Sequence, residues 1–210
     1  MKAINVRPRV RPRSMLLLAT AALVVAGTSV ALIHRASGRA HPSLAQTKQA
    51  DLSLAQSLTV ARRFAILSRR HTNECGLRPE SLESIARAGR LQGSCCQAMD
   101  LQRYSEQIRG LRTYAGVPEI PADPYDISVT LAKQLISFDR AIELNRAQQA
   151  TYDEAVRLSH EHGPCCCHCW RWTAFAGQAK QLIARRHDDA ATVARAWNLE
   201  DGCGGKGKNA

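Results

Sequence analysis

Residues 162–172, His-Gly-Pro-Cys-Cys-Cys-His-Cys-Trp-Arg-Trp, combine a helix-breaking Gly-Pro pair with four of the chain's eight cysteines. Proline lacks a backbone donor but is tolerated in the first turn of a helix, so Gly163-Pro164 should end one helix and begin another. We expect this second helix to run through the cysteines to about Arg186. Buried cysteines are usually scattered singly, whereas this run concentrates sulfur and imidazole, which Cu(I) and Zn(II) favour as ligands. The stretch therefore predicts both a helix boundary and a chemical site.

Apolar residues on both sides of this run recur at helical spacing, and strand alternation is not convincing anywhere. The expected helices cover residues 51–70, 79–89, 99–114, 131–142, 145–159 and 164–186, with a short last helix capped by Asp188 or Asp189. Asn145 and Gln148 have the spacing of a capping box. The sequence thus predicts an all-α fold, in which a compact domain of about seven helices spans residues 51–205 and a flexible tail spans 206–210.

The N-terminus has the pattern of a membrane signal-anchor. Residues 1–13 are basic and contain no acid, and an uncharged, mostly apolar stretch follows. A segment over residues 14–34 is long enough, at about 1.5 Å rise per residue, to cross the hydrocarbon core of a bilayer as a transmembrane helix. Residues 35–50 would then form a linker to the helical domain.

The basic flank predicts the orientation of that anchor. Positive residues stay on the cytoplasmic side, so residues 1–13 should form a cytoplasmic tail of a single-pass membrane protein with an extracytoplasmic domain. The alternative is secretion after cleavage of a signal peptide, because Ser29-Val30-Ala31 resembles a small-residue cleavage site. Either reading places the cysteines outside the cytoplasm, with the membrane as one partner.

The net charge of +11 gives little support to nucleic-acid binding. Seven of the 29 Lys and Arg residues lie in residues 1–39, where there is no acid, so the other 22 face 18 acidic residues. The high isoelectric point is therefore largely a topogenic signal, and we expect no nucleic-acid partner.

Two conformations of the cysteine run predict different groups of three thiols. In a helix, Cys165, Cys166 and Cys169 would share one face. In an extended segment, Cys165, Cys167 and Cys169 would align instead. Both alternatives favour a metal site, and the residues after Asp188 are long enough for Cys203 to return beside it.

Further candidate ligands lie near the run and earlier in the chain. His162 and His168 flank the cysteines and could ligate a metal. An earlier set, Cys75 with Cys95 and Cys96, could either contribute to the same metal site or form a disulfide from Cys75 to one of the other two.

At Pro164-Cys165-Cys166-Cys167-His168-Cys169 the chain resembles bacterial membrane-anchored or lipoprotein families of uncharacterised function that carry a Pro-Cys-Tyr-Cys-Gly-Cys motif. Pro164, Cys165, Cys167 and Cys169 match the motif, whereas Cys166 replaces its tyrosine and His168 its glycine. The resemblance implies an exported helical protein that handles metal, and it brings no established activity.

The sequence is compatible with three functions. The first is a membrane-tethered extracytoplasmic protein that binds Cu or Zn for buffering, sensing or delivery, with a protein that exchanges metal or thiols as a possible further partner. The second is a structural or interaction domain stapled by disulfides. The third is a thiol–disulfide oxidoreductase, against which Cys166 and Cys169 have the Cys-x-x-Cys spacing without a βαβ pattern around them. The sequence also shows no paired carboxylates, phosphate loop or nucleophile elbow, and it favours binding over catalysis.

Overall fold

The computed structural model describes residues 58–206. The predicted tail at 1–13, the anchor at 14–34 and the linker at 35–50 lie outside this range, as does most of the predicted tail at 206–210. Within residues 58–206, no helix is both long and apolar enough to cross a membrane.

The described part of the chain is mostly helical. Its α-helices are α1 (58–67), α2 (Leu101–Leu111), α3 (Val129–Ala141), α4 (Arg146–Leu158), α5 (Trp170–Gln181) and α6 (Ala190–Glu200). Single turns of 3-10 helix occupy Glu80–Ser84 and Arg112–Tyr114, and a π-helical turn at Leu182–Arg186 continues α5. The predicted predominance of helix is confirmed.

Local capping chemistry sets several helix boundaries where the sequence predicted them. Asn145 and Gln148 form the predicted capping box at the start of α4, each side chain bonding the other residue's backbone N–H. The Asp189 carboxylate accepts a 2.7 Å hydrogen bond from the Thr192 N–H at the start of α6. Such caps satisfy N–H groups that the helix itself leaves unpaired.

The predicted helix start at Pro164 is wrong, because α5 begins at Trp170 and residues 164–169 are not helical. Cys169 is the residue before the helix and has an extended backbone. The Trp170 N–H donates to the Leu77 carbonyl at 2.9 Å, and the Arg78 guanidinium donates to the His168 carbonyl at 2.8 Å. These bonds to a distant loop replace the helical turn that proline would otherwise have opened.

Two further predictions need correction. The expected helix at 79–89 is reduced to the single 3-10 turn, in which Leu82 is the buried residue. A small antiparallel sheet pairs β1 (Arg90–Gln92) with β2 (Asp126–Ser128), placing Leu91 opposite Ile127 in the core. Three-residue strands are too short to show the alternation from which a strand is predicted.

The helices α3 and α5 pack tightly against each other in the core. Gly177 of α5 lies directly against the backbone of α3. A Cβ added there would be 2.0 Å from the Leu135 carbonyl oxygen and 2.5 Å from the Asp139 nitrogen. Only glycine permits this approach, because backbone atoms cannot move aside as a flexible side chain can.

Gly177→Ala is therefore expected to destabilise the protein by about 3 kcal/mol, at the upper end of the usual cost of overpacking. The free energy of unfolding in denaturant measures it. Gly116→Ala is the matched control, because nothing lies within 4 Å of an added Cβ there, and its stability should change by no more than about 1 kcal/mol. Equal stability of the two variants would contradict the proposed helix contact.

Candidate functional site

All eight cysteines meet at one end of the core, although they come from four separate segments. These are Cys75 in the loop after α1, Cys95 and Cys96 after β1, Cys165, Cys166, Cys167 and Cys169 before α5, and Cys203 after α6. All of them are free thiols in the structure. The site is therefore built by long-range packing and is compatible with metal binding or with thiol chemistry.

One buried amide connects three of the four segments. The Asn73 side chain, 1% exposed, donates to the Gly93 carbonyl at 2.9 Å and accepts a 3.0 Å bond from the Trp170 indole N–H. Asn73 thus ties the loop of Cys75 to the segment before Cys95 and to the first residue of α5. Buried polar groups that are fully paired in this way fix a unique arrangement.

Backbone pairing brings the C-terminal segment to the cluster. The Cys95 N–H donates to the Gly202 carbonyl at 3.1 Å, and the Gln97 N–H donates to the Cys203 carbonyl at 2.8 Å. Gly204 has a positive φ of 83° and an added Cβ would be 2.1 Å from the Gln97 oxygen, so this close approach needs glycine. The predicted return of Cys203 to the cysteine run is confirmed.

Three of the thiols form a group that we call the inner triad: Cys95, Cys165 and Cys203. Their sulfurs lie within 4.8 Å of one another, with Cys203 Sγ 3.6 Å from Cys165 Sγ and 3.8 Å from Cys95 Sγ. Cys165 and Cys203 are buried. Cys169 is buried beside them, and its interaction with Cys165 raises the pKa of Cys169.

A second group, the outer triad, consists of Cys75, Cys96 and Cys167. Their sulfurs also lie within 4.8 Å of one another, at 2.8 Å for Cys75 with Cys167 and 3.6 Å for Cys96 with Cys75. Cys75 and Cys96 are exposed to solvent. The outer triad is therefore the accessible face of the site.

Cys166 joins the two triads. It forms one group of three with Cys96 and Cys203 and another with Cys165 and Cys167, and its sulfur is 3.7 Å from that of Cys96. Each of these groups takes one member from the inner and one from the outer triad. The thiols therefore form one continuous cluster rather than separate sites.

Most of the sulfur separations suit metal coordination better than covalent pairing. Bonds of about 2.3 Å from one metal ion to several thiolates place the sulfurs about 3.8 Å apart in tetrahedral geometry. The separations of 3.6–3.8 Å within the cluster agree with that spacing. A disulfide would require about 2.05 Å. A metal ion of this size could occupy the cluster without large movement of the sulfurs.

Neighbouring thiols lower the pKa of one sulfur in each triad. Interaction with the neighbouring thiols, that of Cys169 first and those of Cys203 and Cys95 after it, lowers the pKa of Cys165 well below its usual range. Burial opposes ionisation of Cys96, but bonds from neighbouring thiols lower its pKa overall. The thiolate is the form that binds metal, so each triad contains one sulfur prepared for it.

A buried arginine lies beside the inner triad. Arg171, 1% exposed, donates to the Pro124 carbonyl at 3.0 Å and to the Glu200 carbonyl at 2.5 Å, and its guanidinium carbon is 4.9 Å from the centre of the Phe175 ring. Gly202 packs on the guanidinium, where an added Cβ would be 2.5 Å from Cζ. The charge is thus held in a fixed place with little freedom to move.

The carboxyl groups near Arg171 do not fully balance its charge. Burial raises the pKa of Glu200 to about 8, which leaves that carboxyl largely neutral at pH 7. Asp201 is paired with Arg103 at 2.9 Å. Burial alone would lower the pKa of Arg171, but it is raised because negative charge at the inner triad and Asp201 stabilises the guanidinium. A fixed cation of this kind suits an anionic metal–thiolate complex.

The raised pKa of Glu200 makes stability depend on pH. The folded state holds the proton to about pH 8, whereas the unfolded state loses it near 4.5. The stabilisation of the folded state by protonated Glu200 is therefore fully present below about pH 4.5, and it is lost as the pH rises to 8. In the unsubstituted protein, the free energy of unfolding should fall by a few kcal/mol between pH 5 and 8 because of this group. Glu200→Gln should abolish that fall, and denaturant unfolding of both proteins at each pH measures it.

Glu143, an exposed residue, supplies the control for that measurement. Glu143→Gln should keep the pH dependence of the unsubstituted protein, because a side chain that is already exposed changes its surroundings little on unfolding. If the free energy of unfolding depends on pH in the same way in Glu200→Gln and Glu143→Gln, the buried Glu200 carboxyl is not the cause of the pH dependence.

The structure brings together some of the candidate ligands that were predicted in residues 162–169, but not others. Because residues 164–169 are not helical, the predicted helical face of Cys165, Cys166 and Cys169 does not exist, and bends bring Cys165, Cys166 and Cys167 together instead. His162 is exposed, and His168 stacks on Trp172 at 4.0 Å between ring centres. Among the described residues neither histidine belongs to a three-ligand group with the cysteines, and their role as ligands stays a prediction.

Two residues that shape the site, Asn73 and Arg171, were missed from the sequence. Arg171 offered a signal, since a charged residue between two tryptophans in an apolar helix must find a buried partner. Asn73 offered none, because all its partners are distant in sequence.

Fold and site together define a mostly helical, cysteine-rich protein with an eight-thiol cluster. No known protein family, curated protein or solved structure matches the chain. The resemblance of Pro164–Cys169 to the Pro-Cys-Tyr-Cys-Gly-Cys families therefore stays a prediction.

Proposed function

We propose that this protein binds a soft metal ion, Cu(I) or Zn(II), through its clustered cysteines, and that it buffers, senses or delivers the metal. The observation that supports this most strongly is the convergence of eight thiols from four segments, seven of which form groups with sulfur separations that suit metal–thiolate bonds. Thiolate is the ligand that selects these two metals over harder cations. A bound ion would also stabilise the four segments against one another.

The proposed location is the outer face of a membrane. Its support is the basic tail at 1–13 followed by the apolar segment at 14–34, together with the resemblance of the cysteine run to exported proteins. Residues 58–206 would then form a tethered extracytoplasmic domain. Fusion of a reporter that is active only outside the cytoplasm to the C-terminus tests the orientation. Mass spectrometry of the mature N-terminus separates a retained anchor from a cleaved signal peptide.

Metal content tests the function directly. The full-length chain, purified anaerobically in detergent, should contain Cu or Zn by elemental analysis, and its cysteines should resist alkylation until a chelator is added. A variant with serine at Cys95, Cys165 and Cys203 should lose the metal of the inner triad. Absence of metal from the unsubstituted protein, with all thiols open to alkylation, would reject the proposal.

A disulfide-based function is the second candidate, and one contact favours it. Cys75 and Cys167 have the shortest sulfur separation in the cluster, 2.8 Å, and Cys75 is exposed to oxidants. Counting free thiols by mass spectrometry separates the candidates, because four disulfides without metal would indicate a stapled domain. Thiol-dependent reduction of insulin would instead indicate an oxidoreductase.

A further inference from the structure

The cysteine groups share members, and this sharing bears on how many ions they hold. Within residues 58–206 there are four groups of possible metal ligands, and every one contains three cysteines. The groups are Cys75 with Cys96 and Cys167, Cys95 with Cys165 and Cys203, Cys96 with Cys166 and Cys203, and Cys165 with Cys166 and Cys167. A sulfur that belongs to two groups is placed to bridge two ions.

Resting on the proposed function, we propose that the cluster holds several Cu(I) ions joined by shared thiolates, with Cys166 as the bridge between the inner and outer triads. Structural Zn(II) sites close with four tetrahedral ligands, whereas none of the groups in the described residues reaches four. Cu(I) is soft, binds thiolates and accepts trigonal coordination, which matches groups of three sulfurs.

The net charge of a copper–thiolate complex favours thiolates that are shared between ions. Three thiolates around a single Cu(I) carry excess negative charge, and burying it is costly unless a counter-charge is close. Sharing thiolates between ions reduces the negative charge per ion, and the Arg171 guanidinium lies beside the buried triad to offset the remainder. The geometry and the fixed charge are therefore consistent with one polynuclear cluster.

Cys166 gives the inference a sharp test. Without its sulfur, two of the four groups disappear, and the two that remain, the inner and outer triads, have no cysteine in common. Without Cys75, only the outer triad is lost, and the other three groups still share sulfurs. Both residues are exposed, so replacing either with serine should leave the fold intact.

The experiment loads full-length protein, purified anaerobically in detergent and fully reduced, with Cu(I) supplied as its acetonitrile complex. Native mass spectrometry counts the ions, and X-ray absorption reports sulfur and metal neighbours of copper. The unsubstituted protein should bind more than two ions cooperatively, with sulfur and a metal–metal contribution around copper. Cys75→Ser should keep the metal–metal contribution, whereas Cys166→Ser should lose it and bind two ions independently.

The outcomes separate this inference from the proposed function. A single Cu(I) or Zn(II) ion with four sulfur neighbours would overturn the cluster and leave the metal-binding function standing. A metal–metal contribution that persists in Cys166→Ser would overturn the bridging role of that residue. If the unsubstituted protein binds no metal, the inference and the proposed function both fail.

Discussion

Cys203→Ser is expected to weaken Cu(I) binding by more than about 100-fold, which exceeds the usual loss when a residue supporting a ligand is changed. Cys203 belongs to two of the cysteine groups and is buried in the inner triad. The backbone bonds of Gly202 and Cys203 to the segment 95–97 hold its sulfur in place before metal arrives. Competition with a colorimetric Cu(I) chelator measures the affinity.

Cys75→Ser is the comparison for this prediction. Cys75 belongs to one group, in the exposed outer triad, so its loss should release the outer ion and leave tight binding at the inner triad. Serine is close to cysteine in size and leaves the backbone pairing of residue 203 intact, so circular dichroism of both metal-free variants should match the unsubstituted protein. Equal loss of affinity in the two variants would show that the triads do not differ in strength.

The helices that could be predicted from sequence are those whose signals are local. α4 has a capping box and an apolar face within its own residues, and α6 has Asp189 at its start. Such patterns need no knowledge of the rest of the chain. They account for most of the helical framework that carries the site.

The segment 164–169 shows why local rules failed at the site itself. Pro164 permits a helix start, but the bonds of Trp170 to Leu77 and of Arg78 to the His168 carbonyl come from residues some 90 positions away. Tertiary contacts overrode the local preference, as is common at functional sites. The strands β1 and β2 were missed because three residues are too few to show alternation, and because each strand pairs only with the other, across more than 30 positions of the chain.

Part of the cluster was predictable and part was not. The density of thiols at Cys165–Cys169 indicated a site, and the chain length beyond Asp188 allowed Cys203 to join it. The union of Cys75, Cys95 and Cys96 with that site depends on the buried amide of Asn73. Spacing in the sequence does not encode that contact.

Arg171→Met is expected to lower metal affinity by about 10–100-fold, the usual range for a residue that supports ligands without binding the metal. The substitution removes the buried positive charge beside the inner triad and keeps an unbranched side chain. Hydrogen bonds from Cys169 and other thiols contribute most to the low pKa of Cys165, and Arg171 lowers it further. The thiolate absorbance of the metal-free variant should therefore titrate at higher pH.

Arg171→Lys distinguishes an electrostatic role from a structural one. Lysine keeps the charge but loses the planar pair of bonds to the Pro124 and Glu200 carbonyls, so packing suffers while the counter-charge remains. If the positive charge is what supports the site, Arg171→Lys should bind metal more tightly than Arg171→Met and should keep a lower thiol pKa. This difference should persist even if the two variants unfold at the same denaturant concentration. The two variants differ chiefly in the charge at residue 171. If they show equal metal affinity and equal thiol titration, the role of Arg171 is to fill space and not to supply charge.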